Sequence, residues 1–313
     1  MKKAARLLVI VFCIPFFCYL FMEKDGIVPK EQPAASTAGF TVKVEEDTGE
    51  FTYDPEEILP RIMKAMLSGR GDEAMYRVAA VICRTNLVYT WQQEGRPDEI
   101  RLTSTGLCSC KRETYHKSEE AEKLKSAAAD TVGIVLTYEG KVIPAPFFYL
   151  SAGRTRNAME VYGDDRFSYL QSVDCIDDMQ QEEFLTLYDY PKDEFYQKLR
   201  MIAGFENVRE LSELELEREQ TGYVHDIYYK KENMLLPIQD ICDSFDLCSP
   251  WFEWEERAQS VTIRCKGAGH GVGFDVNYGE LLEKQGMDES QILEYFYKDV
   301  TLDKRYNAAA KPD

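Results

Sequence analysis

Glu119-Glu-Ala-Glu-Lys-Leu-Lys-Ser-Ala-Ala-Ala-Asp130 runs straight into Thr131-Val-Gly-Ile-Val-Leu-Thr-Tyr138, then Glu139-Gly140 and Lys141-Val-Ile143. The first segment is built from Ala, Lys and Glu, which lose little freedom in a helix. The second is rich in β-branched residues and broken by a two-residue turn, which predicts a hairpin over 131–138 and 141–150. A helix feeding a hairpin does not fit the regular β-α-β rhythm of a doubly wound sheet, so the expected class is α+β.

The same mixture extends in both directions. Residues 40–44 alternate as a strand. Asp54-Pro-Glu-Glu57 opens a helix with Ile58, Leu59, Ile62, Met63 and Met66 on its apolar side, Pro60 being tolerated near the first turn. Ser68-Gly-Arg-Gly71 ends it. Asp72 is placed to cap a second helix carrying Met75, Val78, Ala79, Ile82 and Leu87. Downstream, helices are expected over 191–203, over 237–245 with Pro at its first turn, and over 290–297. Paired strands are expected over 214–217 and 223–229, and over 252–255 and 261–265. The chain divides into 1–22, a linker 23–38, one large domain 39–306 and a frayed tail 307–313.

The chain has 313 residues, enough for a sizeable core, with 44 % hydrophobic and 29 % charged residues, a globular composition. Asp plus Glu number 55 against 37 Lys plus Arg, for a net charge of −18. That balance excludes a nucleic-acid backbone as partner, because phosphate binding needs a basic face. Three His in the whole chain leave little room for a multi-histidine metal cage.

Lys2, Lys3 and Arg6 precede an unbroken apolar run over 7–22. A cleaved signal and a retained anchor both suit such a run. The anchor is favoured, because the run closes with Phe21-Met22-Glu23-Lys24 and offers no small-residue cleavage site. Basic residues ahead of the run put the remainder outside the cytoplasm. Of the nine Cys, two lie in this run. An odd seven remain, which implies at least one unpaired thiol or a metal site.

Four segments carry chemistry. They are Asp72–Thr85 with its Arg84-Thr85 end, Phe147-Phe-Tyr-Leu-Ser151-Ala-Gly153-Arg-Thr155-Arg-Asn157, Tyr169-Leu-Gln-Ser-Val-Asp174, and Gly267-Ala-Gly269-His270-Gly271-Val-Gly273 running on to Tyr278-Gly279. Small residues closing an apolar strand let backbone N–H groups and the Ser151 and Thr155 hydroxyls face outward; an ordinary tight turn has the same spacing. Glycines bracketing His270 permit close backbone approach to an imidazole able to exchange protons near pH 7. The alternative is a histidine satisfied inside its own turn. His225, in a strand, reads as structural, and Asp174 as a cap or turn residue.

Together these motifs resemble the stage II sporulation protein D family, which also contains amidase enhancers. They have the form small-small-Gly-x-Thr, Tyr-Leu-x-Ser-Val-Asp and Gly-His-Gly-Val-Gly, in the family's order. Leu247-Cys-Ser-Pro-Trp-Phe252 also fits the family's pattern. The resemblance covers most of 50–305. It implies a protein anchored in the mother-cell membrane and facing the intermembrane space of a sporulating cell. Its partners would be peptidoglycan glycan strands, a cell-wall amidase and other engulfment membrane proteins. The implied reaction is lytic transglycosylation, in which one carboxyl donates a proton to the leaving sugar oxygen and then accepts one from the sugar's own 6-hydroxyl.

The resemblance places that carboxyl at Met66, and a thioether cannot transfer a proton. Arg84, Thr85, Ser151, Gly153, Thr155, His270, Gly271 and Tyr278 are then expected to line a glycan cleft around it, with His270 beside the chemistry. Some family members hold zinc through a Cys and a His-Cys pair. This chain offers Cys108, Cys110 and His116, followed by Lys117, three candidate ligands where a closed site needs four. A solvent-facing loop with two thiols is the other reading. Three functions follow: a transglycosylase using another carboxylate, with Glu73 the candidate; a pseudoenzyme that binds denuded glycan and recruits or stimulates an amidase; or a purely structural anchor protein.

Overall fold

Asp54 starts the first helix: its carboxylate accepts from the Glu56 N–H at 2.9 Å, capping α1 (Pro55–Leu67). This computed structural model describes residues 39–46, 49–102 and 118–304. Pro55 takes the first helical position, where its missing N–H costs nothing. Pro60 lies inside α1 and not in its first turn, yet the helix runs on. Ser68 ends it in the left-handed region at φ 50°. α2 (Glu73–Gln93) runs past Leu87. Asp72 precedes it but makes no side-chain cap, contrary to expectation; its backbone (φ −133°, ψ −144°) departs from the extended form a capping residue usually adopts. α2 is buried on nearly every side between Met75 and Val88, because it packs against both α1 and α3 (Glu119–Asp130).

These helices belong to the first of two compact units. It comprises the described residues up to Pro146, with Asp288–Ser290 and those from Val300 onward. Its strands are β1 (Thr41–Glu46), β2 (Gly49–Tyr53), β3 (Glu99–Leu102), β4 (Val135–Tyr138) and β5 (Lys141–Val142). They form two sheets. In one, β1 pairs antiparallel with β2 and parallel with β3. In the other, β4 lies between β5 and the strand Thr301–Asp303. Glu139 (φ 51°) and Gly140 (φ 75°) both take the left-handed conformation that a tight two-residue hairpin requires.

The second unit comprises Phe147–Met287 and Gln291–Asp299. Its strands are β6 (Phe147–Phe148), β7 (Leu185–Pro191), β8 (Leu214–Arg218), β9 (Val224–Tyr229), β10 (Met234–Pro237), β11 (Phe252–Glu256), β12 (Ser260–Lys266) and β13 (Phe274–Asp275). Its helices are α4 (Ala158–Tyr162), α5 (Lys192–Leu199), α6 (Gln239–Phe245), α7 (Val276–Lys284) and α8 (Glu289–Phe296), the last shared at its first turn with the first unit. β11, β12 and β7 form one antiparallel sheet, and β10, β9 and β8 another. Phe195 and Leu199 of α5 and Ile241 and Phe245 of α6 share a core with Phe252, Val261 and Ile263 of the first of these sheets. Pro237 ends β10 instead of opening a helix, and α5 stops four residues short of the expected 203.

The α+β class expected from the sequence holds. Among the described residues no helix is long and apolar enough to cross a membrane. The apolar run 7–22, the linker 23–38, the tail 307–313 and the possible zinc ligands Cys108, Cys110 and His116 lie outside the described residues.

Candidate functional site

Two of the motifs, more than a hundred residues apart, run side by side in the second unit. β6 pairs in parallel with β13. Beyond β6, the Ala268 N–H donates to the Leu150 carbonyl at 2.7 Å and the Leu150 N–H donates back to Ala268 at 3.0 Å. Further on, the Arg156 N–H donates to the Gly271 carbonyl at 2.7 Å. Glycine is required for this approach. A Cβ on Gly267 (φ 74°) would stand 2.7 Å from the Leu150 oxygen, and one on Gly271 (φ 79°) 2.8 Å from the Tyr223 ring.

The hydroxyls expected to face outward point inward. Ser151 is 0 % exposed, and its Oγ donates to Asp178 Oδ2 at 2.5 Å. Its N–H lies 3.0 Å from Asp178 Oδ2 and 2.8 Å from Asp275 Oδ2, so both carboxyls close on one amide. Asn277 donates to the other Asp178 oxygen at 2.7 Å, and the Tyr278 N–H to the other Asp275 oxygen at 3.0 Å. The Gly153 N–H donates to Ser151 Oγ at 3.1 Å. Thr155 is buried as well: its Oγ1 accepts from the Val173 N–H at 2.9 Å. The reason is elementary: a strand-end turn enclosed by a glycine loop is cut off from water, so its polar atoms must pair internally.

Burial and the neighbouring Asp178 charge raise the Asp275 carboxyl well above the usual carboxylate range. The Cys175 thiol lies with them, all three ligand atoms within 4.8 Å of one another. The oxygens of the two aspartates already serve Ser151, Asn277 and the Tyr278 N–H, and burial pushes the Cys175 thiol up.

His270 is held neutral. Burial, then the Arg156 charge, lowers its pKa to about 4, the Phe147 backbone partly opposing. Its Nδ1 accepts from the Val272 N–H at 3.1 Å, which leaves the ring proton on Nε2. Nε2 is shielded and has no hydrogen-bond partner among the described residues. An imidazole in this state does not change charge near pH 7. Arg156 holds the loop from below, donating to the His270 carbonyl at 3.1 Å. The Arg156 guanidinium is paired with the buried Glu219 carboxylate and lies 5.4 Å from the centre of the Tyr223 ring. Tyr278, half-buried at the start of α7, is 5.7 Å from the Tyr295 ring. Asp174 pairs with Arg154 at 2.8 Å and its backbone carbonyl accepts from the Tyr295 hydroxyl, a turn role. His225 is exposed and meets Asp226 at 2.7 Å.

Met66, Arg84 and Thr85 belong to the first unit. Met66 is 3 % exposed, its sulfur 3.6 Å from the Cys83 sulfur between α1 and α2. Arg84 lies within α2, not at its end. It grips both Glu56 oxygens at 2.6 and 2.8 Å and donates to the Ala128 carbonyl at 2.9 Å. The Thr85 hydroxyl donates to Val81 at 2.6 Å and accepts the Leu136 N–H at 2.9 Å, riveting α2 to β4. Glu73, the alternative acid, is an 82 % exposed side chain that meets Arg77 at 3.6 Å.

Sequence reasoning did not single out Asp178, Asp275, Arg156, Glu219 or Tyr223. Arg156 and Asp275 stood inside the quoted motifs and were legible as charges among small and apolar residues. Glu219, in an acidic run, carried no such signal.

No family model matches the chain. Over 186 residues, 59 % of the chain, it is 33 % identical to Stage II sporulation protein D of Bacillus amyloliquefaciens, covering 52 % of that protein. Over 179 residues, 56 % of the chain, it is 31 % identical to the protein of the same name from Bacillus subtilis (strain 168), covering 50 %. The chain spans about half the length of the curated relatives it matches. The family resemblance carried by the motifs is borne out by these two relatives.

Proposed function

From this similarity to stage II sporulation protein D we propose a sporulation-associated protein that acts on peptidoglycan by holding denuded glycan strands, not by cutting them. Recruitment or stimulation of a cell-wall amidase is the output. The chain works outside the cytoplasm, anchored through 7–22. The observation that carries this reading is Met66. Lytic transglycosylation needs a carboxyl that protonates the bridging oxygen and then deprotonates the 6-hydroxyl. The residue at that position is a thioether, and it is turned into the packing of α1 against α2.

The other acids lend no substitute. Glu56 has both oxygens committed to Arg84. Asp178 and Asp275 are closed inside the second unit. Glu73 lies in open solvent, its side chain 82 % exposed, outside any enclosed site.

The purified 313-residue chain, incubated with denuded glycan strands, is expected to sediment with them and to release no anhydro-muropeptides. Product release that disappears in Glu73→Gln would restore the enzyme reading. Absence of sedimentation would leave a purely structural role. Protease protection in sporulating cells tests the topology, with 39–313 expected to be digested only from the extracytoplasmic side.

A further inference from the structure

Cys248 and Cys265 of the second unit stand close together. Both are free thiols, Cys265 buried in β12 and Cys248 half-buried at the surface. Ser249, the residue after Cys248, ties them together. Its N–H donates to the Cys265 sulfur at 3.3 Å, and the Cys265 thiol donates to its carbonyl at 3.2 Å. The Cys248 N–H donates to the Tyr188 hydroxyl at 3.0 Å, fixing the backbone on the other side. The Cys248 carbonyl accepts the Gly269 N–H at 2.7 Å, so the pair sits one hydrogen bond from the glycine loop.

The two thiols differ in character. The neighbouring Cys265 thiol is the largest influence on Cys248 and lowers it below the ordinary thiol value; burial opposes, and the Tyr188 and Thr186 hydroxyls assist. The same contact, then burial, pushes Cys265 up. Cys83, Cys175 and Cys242 are all pushed up by burial. A half-buried thiol with a buried thiol behind it, bridged by the Ser249 backbone, is the arrangement of an attacking and a resolving cysteine.

We propose that Cys248 and Cys265 are an oxidisable pair that reacts with low-molecular-weight disulfides, Cys248 attacking and Cys265 resolving. The Cys248 thiolate attacks one sulfur of RS–SR, forming a mixed disulfide and expelling RS⁻. Cys265 gives up its proton to that RS⁻ and attacks the Cys248 sulfur, expelling the second RS⁻. The balance is one protein thiolate, one protein thiol and RS–SR giving the Cys248–Cys265 disulfide, RSH and RS⁻. Two electrons pass from the protein pair to the external disulfide.

The test incubates the full chain with glutathione disulfide, quenches with acid and maps peptides without reduction. The expected product is a Cys248–Cys265 cross-link that dithiothreitol reverses. Cys265→Ser is expected to accumulate glutathione on Cys248, and Cys248→Ser to leave Cys265 unmodified. Should either variant fail to fold, the unmodified protein decides through alkylation by iodoacetamide. Cys248 is expected to label with a midpoint below that of an ordinary thiol while Cys265 stays unlabelled. Recovery of the two peptides unlinked, pairing of Cys248 with another cysteine, or a Cys248 midpoint near pH 9 would overturn the proposal.

Discussion

Two buried arginines, one in each unit, are neutralised in different ways. Arg84 meets the C-terminal end of α3, donating to the carbonyls of Ala128 and Ile134 and to the Thr131 hydroxyl. That end carries the negative pole of the helix, so it stabilises a cation before any acid is added. Its partner Glu56 can therefore stay at the rim, its side chain 30 % exposed. Arg156 faces a loop of glycines that offers it the His270 carbonyl. Its partner Glu219 is enclosed, with 2 % of its side chain exposed. A helix end supplies oxygens in parallel, whereas a loop does not, and the loop needs a fully desolvated carboxylate.

The largest break in this comparison is expected from Glu219→Ala, which leaves the Arg156 charge buried without its partner. A loss of about 3–5 kcal/mol in urea unfolding is expected, and a loss below about 1 kcal/mol would erase the distinction between the two arginines. Met66→Ala is expected to cost about 2–4 kcal/mol through the cavity left between α1 and α2. A near-neutral result would mean that Met66 lies in a yielding surface instead of a packed one. Glu56→Gln is expected to cost about 1–2 kcal/mol, because the α3 oxygens continue to hold Arg84.

The effects on pH dependence are spread over several pH units and are smallest per unit, and two groups of the second unit have opposite signs. His270 is lowered from 6.5 to about 4 in the folded chain. Its contribution is present above pH 6.5 and is lost as pH falls towards 4. Asp275 is raised above 3.8. Its contribution is present at low pH and is lost as pH rises from about 4 through the folded value. Each gives a slope of at most about 1.4 kcal/mol per pH unit. Urea midpoints between pH 4 and pH 9 are expected to flatten on the acid side in His270→Gln and on the upper side in Asp275→Asn. Profiles unchanged in both variants would remove the two groups from the stability balance.

Elements with a strong local signal were legible. The helix over 119–130 coincides with α3, and the Glu139-Gly140 turn is where two left-handed residues close a hairpin. The strand Leu185–Pro191 went unforeseen, although Leu185 and Leu187 alternate with Tyr188 and Tyr190. Both leucines are about half exposed, so the alternation there does not sort apolar from polar residues. Asp72 shows the opposite failure: the residue type suited a cap, but the entering chain held its backbone away from capping geometry. In the candidate site, the turn at Ser151 and Thr155 and the loop at His270 and Gly271 run side by side. The Ser151 and Thr155 hydroxyls, expected to face outward, are buried.

Residue type and spacing established the α+β class, the family resemblance and the thioether at position 66, because each of these depends only on local order along the chain. Whether a hydroxyl faces solvent or a carboxylate was settled by packing. Spacing records which atoms are present, but access to water depends on which distant segment closes over them. Gly267 and Gly271 admit that closure, and with it Ser151 is sealed against Asp178 and His270 is kept neutral.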